Sequence, residues 1–361
     1  MPGISCRIGV EIEVYAREKE SGRPEPQPLG PERIKAFADN LVRFYNEKSG
    51  KALLRADFEH ESHPGHHDSH TSSGHWTVTT DDAIGSPDLL ADDDSVWGYP
   101  LEFVSPIFKF YPDSAWREGV EDHWNTILLY GEFHIDEDCA THVHVSPEAG
   151  KVWSSEQLKR VAQAVIYFDK AFKAIWAPSR REHDLTSSNK ANNYKLKDLG
   201  FAECCKLIQE CVDTDHLVSL MQPLERPGSG NTPLRSYAWN FMNTMKATKE
   251  EQQKIGTIEF RCAPGTLTPE HCLIWVEFGA SFVQAAAQYG TQDRLEKEYV
   301  PTAESLKKFI LKAREEEEGK ETDRLDTLFY GLPESRAEGK GLDKDIKMRQ
   351  VFDARIKELG A

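Results

Sequence analysis

No stretch of about 18 consecutive apolar residues occurs in the 361 residues, so nothing in the sequence is built to cross a membrane as a helix. The first fifteen residues hold no apolar core of a secretory signal, and a cytoplasmic location is expected. Paired cysteines are also lacking. The seven cysteines are an odd number with no CxxC spacing, and Cys204 and Cys205 are adjacent, which points to free thiols in a reducing compartment rather than to bridges or a zinc knot. Neither GxxxxGK[ST] nor HExxH occurs, which removes the P-loop phosphate cradle and the common zinc-protease helix. Basic residues are scarce: 44 Lys and Arg against 60 Asp and Glu leave a net charge of −16, which excludes a nucleic-acid groove or an anionic membrane surface as the main partner. The scarcity is concentrated. Between Arg55 and Lys109 there is no basic residue, while eleven acids and six of the 13 histidines fall there.

Hydrophobic residues make up 39% of the chain, enough for a sizeable core. Residues 7–15, RIGVEIEVY, alternate with period two and predict a strand with Ile8, Val10, Ile12 and Val14 on one face. Pro31 opens a predicted helix whose stripe is Ile34, Phe37, Leu41, Phe44 and Tyr45. Short strands are expected at Trp76–Thr80, Leu101–Ser105 and Thr257–Cys262, and a pair around a turn at Asp136–Asp138 within Phe133–Ser146. Ser154 with Gln157 forms a capping box opening a helix to Trp176; a second helix covers 201–221, and Thr268 caps a third that runs to Tyr289. Residues 57–75 form a polar, His-rich loop, and Asp92–Asp94 reads as a solvated loop. From Pro301 onward 13 basic residues meet 14 acidic ones, the pattern of an exposed helix or a mobile tail. No internal repeat is found, and strands and helices do not alternate as βαβ units. An α+β chain is expected, with a main domain over 1–300 carrying the 57–75 insertion and a charged helical extension over 301–361.

Four of the predicted strands share one property: an aliphatic face opposite a charged one. They offer Glu11 and Glu13, then Glu102, then His142 and His144, then Glu259 and Arg261. Residues two apart on a strand point the same way. On a common sheet these groups form one front face, backed by Val10, Ile12, Phe103, Val143, Val145, Ile258 and Phe260 on the helices. Taken singly, Glu11 and Glu13 read as a solvated surface strand, His142 and His144 as structural, and Glu259 with Arg261 as a surface ion pair. Taken together, four close carboxylates require compensating cations. Oxygen ligands with one or two imidazoles suit Mg²⁺ or Mn²⁺ better than zinc. Such ions beside an arginine are the machinery for handling a nucleotide's phosphates.

The segments GVEIEVY, WTVTTDDAI, GYPLEFVSPI, CATHVHVSP, YAWNFMN and TIEFRCAPGT follow one another in this order. Together they resemble the amidoligase family, a branch of the carboxylate–amine ligases related to glutamine synthetase and glutamate–cysteine ligase, over about residues 5–290. The resemblance implies a glutamine-synthetase-like fold, a curved antiparallel sheet with helices on its outer face. It implies an ATP- and Mg²⁺-dependent ligase that forms an amide through an acyl phosphate. By this similarity Glu11, His142 and Glu259 hold one metal ion, and Glu13 and Glu102 the other. His144 sits near the phosphates, Arg261 steadies the transferring phosphoryl, and Asp81 orients the amine. Asn240, Asn243, Arg180, Arg181 and Asn193 fall where substrate contacts lie. The partners would be a small carboxylic acid, amino acid or peptide and an amine; the oligomeric state is not encoded. Two rival readings stand beside it: a metal-dependent hydrolase in which the same carboxylates and imidazoles activate water, and a weakly catalytic relative binding a metabolite or metal through His60, His63, His66, His67, His70 and His75.

Overall fold

The computed structural model describes residues 4–19, 31–49, 52–58, 74–80, 84, 98–111, 114–181, 183, 186–223, 235–245, 256–315, 325, 328 and 329. Asp81, Asp92–Asp94, most of the 57–75 loop with its first five histidines, and most of the stretch beyond 315 lie outside the described residues.

The period-two segment forms β1 (Cys6–Glu18), which organises one sheet with β2 (Leu54–Ala56), β3 (Trp76–Thr79), β4 (Tyr99–Val104), β5 (Phe108–Phe110), β6 (Gly131–His134), β7 (Ala140–Pro147), β8 (Trp239–Asn240) and β9 (Ile258–Pro264). Their order is β2-β3-β4-β1-β7-β9-β8, with β5 and β6 also paired to β1. Only β2 and β3 run parallel; the other pairs are antiparallel. This agrees with the lack of βαβ alternation: the fold is mixed, with a mostly antiparallel open sheet and many helices. β4 and β5 share one edge of β1, β6 and β7 the other. Where the chain passes from β4 to β5, Ser105 satisfies both backbone groups of Val10: its Oγ accepts from Val10 N at 2.8 Å and its own N donates to Val10 O at 2.8 Å.

The helices are α1 (Pro31–Lys48), α2 (Trp116–Tyr130), α3 (Ser155–Tyr167), α4 (Asp169–Ile175), α5 (Pro178–Arg181), α6 (Phe201–Glu210), α7 (Thr214–Met221), α8 (Pro269–Tyr289), α9 (Gln292–Glu298) and α10 (Ala303–Glu315). The apolar back of the sheet and the inward faces of these helices form one core. α8 lies close against it: a Cβ at Gly279 would come within 3.3–3.4 Å of Phe260 and Val143 side chains. Thr268 caps α8 as expected, accepting from His271 N at 3.2 Å.

Three expectations change. The helix after Ser154 is interrupted at Phe168, yet backbone bonds Phe168 N to Ala164 O and Phe172 N to Phe168 O continue on both sides. The 201–221 helix is two, because the Asp213 side chain accepts from His216 N at 2.9 Å and caps a new start. The segment after 301 is not simply an exposed helix: Leu306, Phe309, Ile310 and Ala313 of α10 are buried in the core. Its charge pattern hides an apolar stripe of helical period. The helix α2, unassigned from sequence, buries Trp116, Val120, Trp124 and Ile127.

The capping box of α3 is complete, with Gln157 N donating to Ser154 Oγ at 3.2 Å and Ser154 N to Gln157 Oε1 at 2.9 Å. Ser154→Ala is expected to cost about 1 kcal/mol in denaturant unfolding; an unchanged midpoint would show that water replaces the cap at no cost.

Candidate active site

The sheet register assembles the charged face. Glu13 lies opposite Glu102, Glu11 opposite His142, His144 opposite Glu259, and Glu259 opposite Asn240. Because paired residues of antiparallel strands share a face, Glu11, Glu13, Glu102, His142, His144, Glu259 and Arg261 all sit on one side of the sheet. A bulge between Thr141 and Val143 sets both Arg261 and Cys262 of β9 against His142. The four carboxylates and two imidazoles are each between 1% and 5% exposed.

Side-chain contacts converge. Glu11 Oε2 lies 3.2 Å from His142 Nδ1, and Glu11 Oε1 lies 3.1 Å from His144 Nε2. His142 Nδ1 is also 3.6 Å from Glu13 Oε1 and 3.6 Å from Glu259 Oε1. Glu13 Oε2 accepts from Ala140 N at 2.7 Å. Arg261 Nη1 donates to Glu259 Oε1. Burial pushes the Glu259 carboxyl up, but the Arg261 guanidinium and both imidazoles outweigh it and hold it at about 2. Burial disfavours the charged Arg261; Glu259, Glu13 and Glu11 more than reverse this, and its pKa is raised.

Glu11, His142 and Glu259 each offer one ligand atom, all within 4.8 Å of one another. That spread is close to twice the ~2.1 Å bond of Mg²⁺, and two carboxylates with one imidazole suit Mg²⁺ or Mn²⁺. These three residues could therefore hold a divalent cation after a small closure. Glu13 and Glu102 face each other across the β1–β4 pair, beside this trio.

Behind the face lies a layer of polar support. His144 Nδ1 is 3.1 Å from Thr257 Oγ1, which accepts from Asn243 Nδ2 at 3.3 Å. Asn240 Nδ2 donates to Glu259 Oε2 at 2.6 Å. Arg180 is buried and donates through Nη1 to Glu137 O and through Nη2 to Arg261 O, each at 3.1 Å, so it ties the β6–β7 turn to the backbone of Arg261. Burial lowers its pKa. Arg181 Nε donates to Trp176 O at 3.1 Å, and Asn193 Nδ2 donates to Leu220 O at 2.8 Å while Asn193 Oδ1 accepts from Lys195 N at 3.0 Å. The structure thus gathers Asn240, Asn243 and Arg180 around the charged face and engages Arg181 and Asn193 with backbone.

Two members escaped the sequence reading. Thr257 stands two residues before Glu259 in the same alternation, and that period could have found it. Gln222, whose amide meets Asn240, is a lone glutamine at a helix end, with no signal in the sequence.

Comparison with known proteins identifies the family. The family model described as "Putative amidoligase enzyme" matches residues 5–283. Among solved structures, one titled "Crystal structure of novel glutamine synthase homolog" aligns at 12% identity over 98% of this chain and 67% of that chain, with a TM-score of 0.39. No curated protein matches the chain. With the family model spanning most of its length, the chain belongs to the amidoligase family.

Proposed function

We propose that the chain is an ATP-dependent carboxylate–amine ligase on a glutamine-synthetase-like sheet, joining a small carboxylic acid, amino acid or peptide to an amine. The observation that carries this reading is the single buried sheet face on which four glutamates, two histidines and an arginine meet, in a member of an amidoligase family. So many buried carboxylates need cations to remain ionised. In this reading Glu11, His142 and Glu259 hold one Mg²⁺ or Mn²⁺ ion, and Glu13 with Glu102 the other. Such ions, when bound, neutralise and polarise phosphoryl oxygens. We assign this chemistry to residues 1–300 and leave 301–361 as an extension.

The reaction balances in two steps. A carboxylate oxygen of the substrate attacks the γ-phosphorus of ATP, the bond to the bridging oxygen breaks, and ADP leaves. The amine nitrogen then attacks the acyl carbon, phosphate departs with the former carboxylate oxygen, and the amine sheds a proton. Phosphorylation is needed because a carboxylate oxygen is otherwise too poor a leaving group at neutral pH.

The chain's part is positioning and charge stabilisation. Arg261 steadies the phosphoryl in flight. Its Nη1 is held by Glu259, and its buried Nε finds no hydrogen-bond acceptor among the described residues. His144, braced by Thr257, sits beside the phosphates. Asn243 is the substrate contact, and Asp81, outside the described residues, orients the amine. No helix among the described residues is long and apolar enough to cross a membrane. All seven cysteines are free and buried, which suits the reducing cytoplasm in which we place the protein.

Incubation with ATP, Mg²⁺ and pooled amino acids, small carboxylic acids and amines is expected to release phosphate in an amine-dependent manner, with a new mass at the sum of two pool members less water. ATP hydrolysis that ignores the amine, or no turnover with any pool, counts against the ligase.

A further inference from the structure

The Glu259 carboxylate is not placed by its strand alone. Asn240 stands opposite it on β8, and its side chain can sit only one way round. Its Oδ1 accepts from the backbone N of Met242 at 2.9 Å, a group that can only donate, so Nδ2 is the atom facing Glu259 Oε2 at 2.6 Å. The same logic fixes the next side chain outward. Gln222 Oε1 accepts from the backbone N of Phe241 at 2.5 Å, leaving Nε2 to donate to Asn240 Oδ1 at 2.8 Å. Gln222 and Asn240 are essentially fully buried. Every hydrogen in this chain therefore points toward the carboxylate. The order starts from two adjacent backbone amides, runs through Gln222 and Asn240, and ends on Glu259.

Gln222 is itself anchored. It closes the C-terminal end of α7, its backbone N donating to Val218 O at 2.8 Å. On the far side of the carboxylate, Arg261 holds Glu259 Oε1. Glu259 is thus gripped at both oxygens: by the guanidinium at one, and at the other by a two-amide relay from a different part of the chain.

We propose that Gln222 is a positioning residue of the active site, acting through Asn240 to fix the rotamer of Glu259 and with it the affinity of the site for a divalent cation. This rests on the reading of Glu259 as a metal ligand. It gives Asn240 a task in metal-site geometry in place of substrate contact. A buried carboxylate that must present a lone pair to an ion loses affinity when its outer hydrogen-bond partner is removed, typically by ten- to a hundredfold.

The test uses the full chain and Mn²⁺, followed by electron paramagnetic resonance. Gln222→Glu keeps the shape and the bond from Phe241 N but presents an oxygen to Asn240 Oδ1; Gln222→Met keeps the length and removes both bonds. Each is expected to raise the Mn²⁺ dissociation constant about tenfold or more and to change the zero-field splitting of the bound ion. The second variant serves where the first does not fold. In an Asn240→Ala background the Gln222 substitutions are expected to have no further effect on affinity, since the relay is already cut. A purely structural role for Gln222 would lower the melting temperature and leave affinity and splitting alone. Wild-type binding with unchanged affinity in a folded Gln222 variant overturns the relay while leaving the metal site standing, as do losses that simply add in the Asn240→Ala background. Absence of Mn²⁺ binding by the wild-type chain overturns the metal site and the relay together.

Discussion

In Glu11→Gln, Mn²⁺ binding is expected to weaken by at least about a hundredfold, and turnover with it, while the metal-free protein melts no lower than the metal-free wild type. The two halves of this expectation come from the same geometry. Glu11 is the carboxylate that touches both imidazoles, His142 at 3.2 Å and His144 at 3.1 Å, and it belongs to the trio whose ligand atoms lie within 4.8 Å. An amide of the same shape removes a full negative charge and one ligating oxygen. It also turns an NH₂ group toward one of the ring nitrogens, so the imidazoles lose their common anchor.

Stability moves the other way. Glu11, Glu13, Glu102 and Glu259 are buried together, and Arg261 donates to Glu259. Removing one charge from such a cluster relieves repulsion, the familiar cost of a functional site. Glu259→Gln is the useful contrast. It strips a buried arginine of its partner, and breaking a buried pair from one side is expensive, so that variant is expected to lose both metal affinity and melting temperature. Titration calorimetry with Mn²⁺ and thermal melts in a chelator read the two quantities separately. A Glu11→Gln protein that binds Mn²⁺ like wild type would remove Glu11 from the ligand set.

The placement of these residues was open to a sequence reader because strand periodicity is strict. Glu11 and Glu13, His142 and His144, and Glu259 and Arg261 are pairs two apart, each straddling an apolar residue (Ile12, Val143 and Phe260), and a one-residue slip would have buried charge in the core. The sheet that unites them follows from having four such strands and no βαβ alternation. What escaped was whatever depends on contacts far apart in sequence. β8 is two residues long, shorter than any period can register, yet it brings Asn240 to Glu259. The bulge opposite His142 is a property of pairing and leaves no mark on either strand alone. Gln222 is an unremarkable helix-end residue until Asn240 is set beside it. The burial of α10 was masked by counting charges over sixty residues, which averages away a stripe carried by Leu306, Phe309, Ile310 and Ala313.

Two core histidines weaken the protein in acid. His123 is fully buried, stacked on Trp76 with ring centroids 3.7 Å apart and edge-on to Phe103; its Nδ1 is 3.3 Å from Tyr45 Oη, and its Nε2 meets no hydrogen-bond partner among the described residues. Burial drives its pKa down from 6.5 to about 3. His271 accepts from Trp275 Nε1 at 3.1 Å, and burial lowers it from 6.5 to about 4. Both rings are neutral in the folded protein, whereas the unfolded chain protonates them below about 6.5. The unfolded state therefore binds more protons, and stability falls as the solution is acidified from 6.5 toward 4 for both rings, and on to about 3 for His123. Glu259 acts in a lower window. Its carboxyl is depressed from 4.5 to about 2, so its contribution is complete above 4.5 and is lost between those values. His123→Phe fills the same stack with a ring that never titrates. Between pH 7 and pH 5 the folded-to-unfolded ratio of this variant is expected to gain about 25-fold on that of wild type, the penalty for one histidine held neutral. Urea unfolding of both proteins in a chelator at the two pH values measures the difference directly. Parallel losses in the two proteins would mean that His123 takes up its proton in the folded state and that the Trp76 stack tolerates an imidazolium.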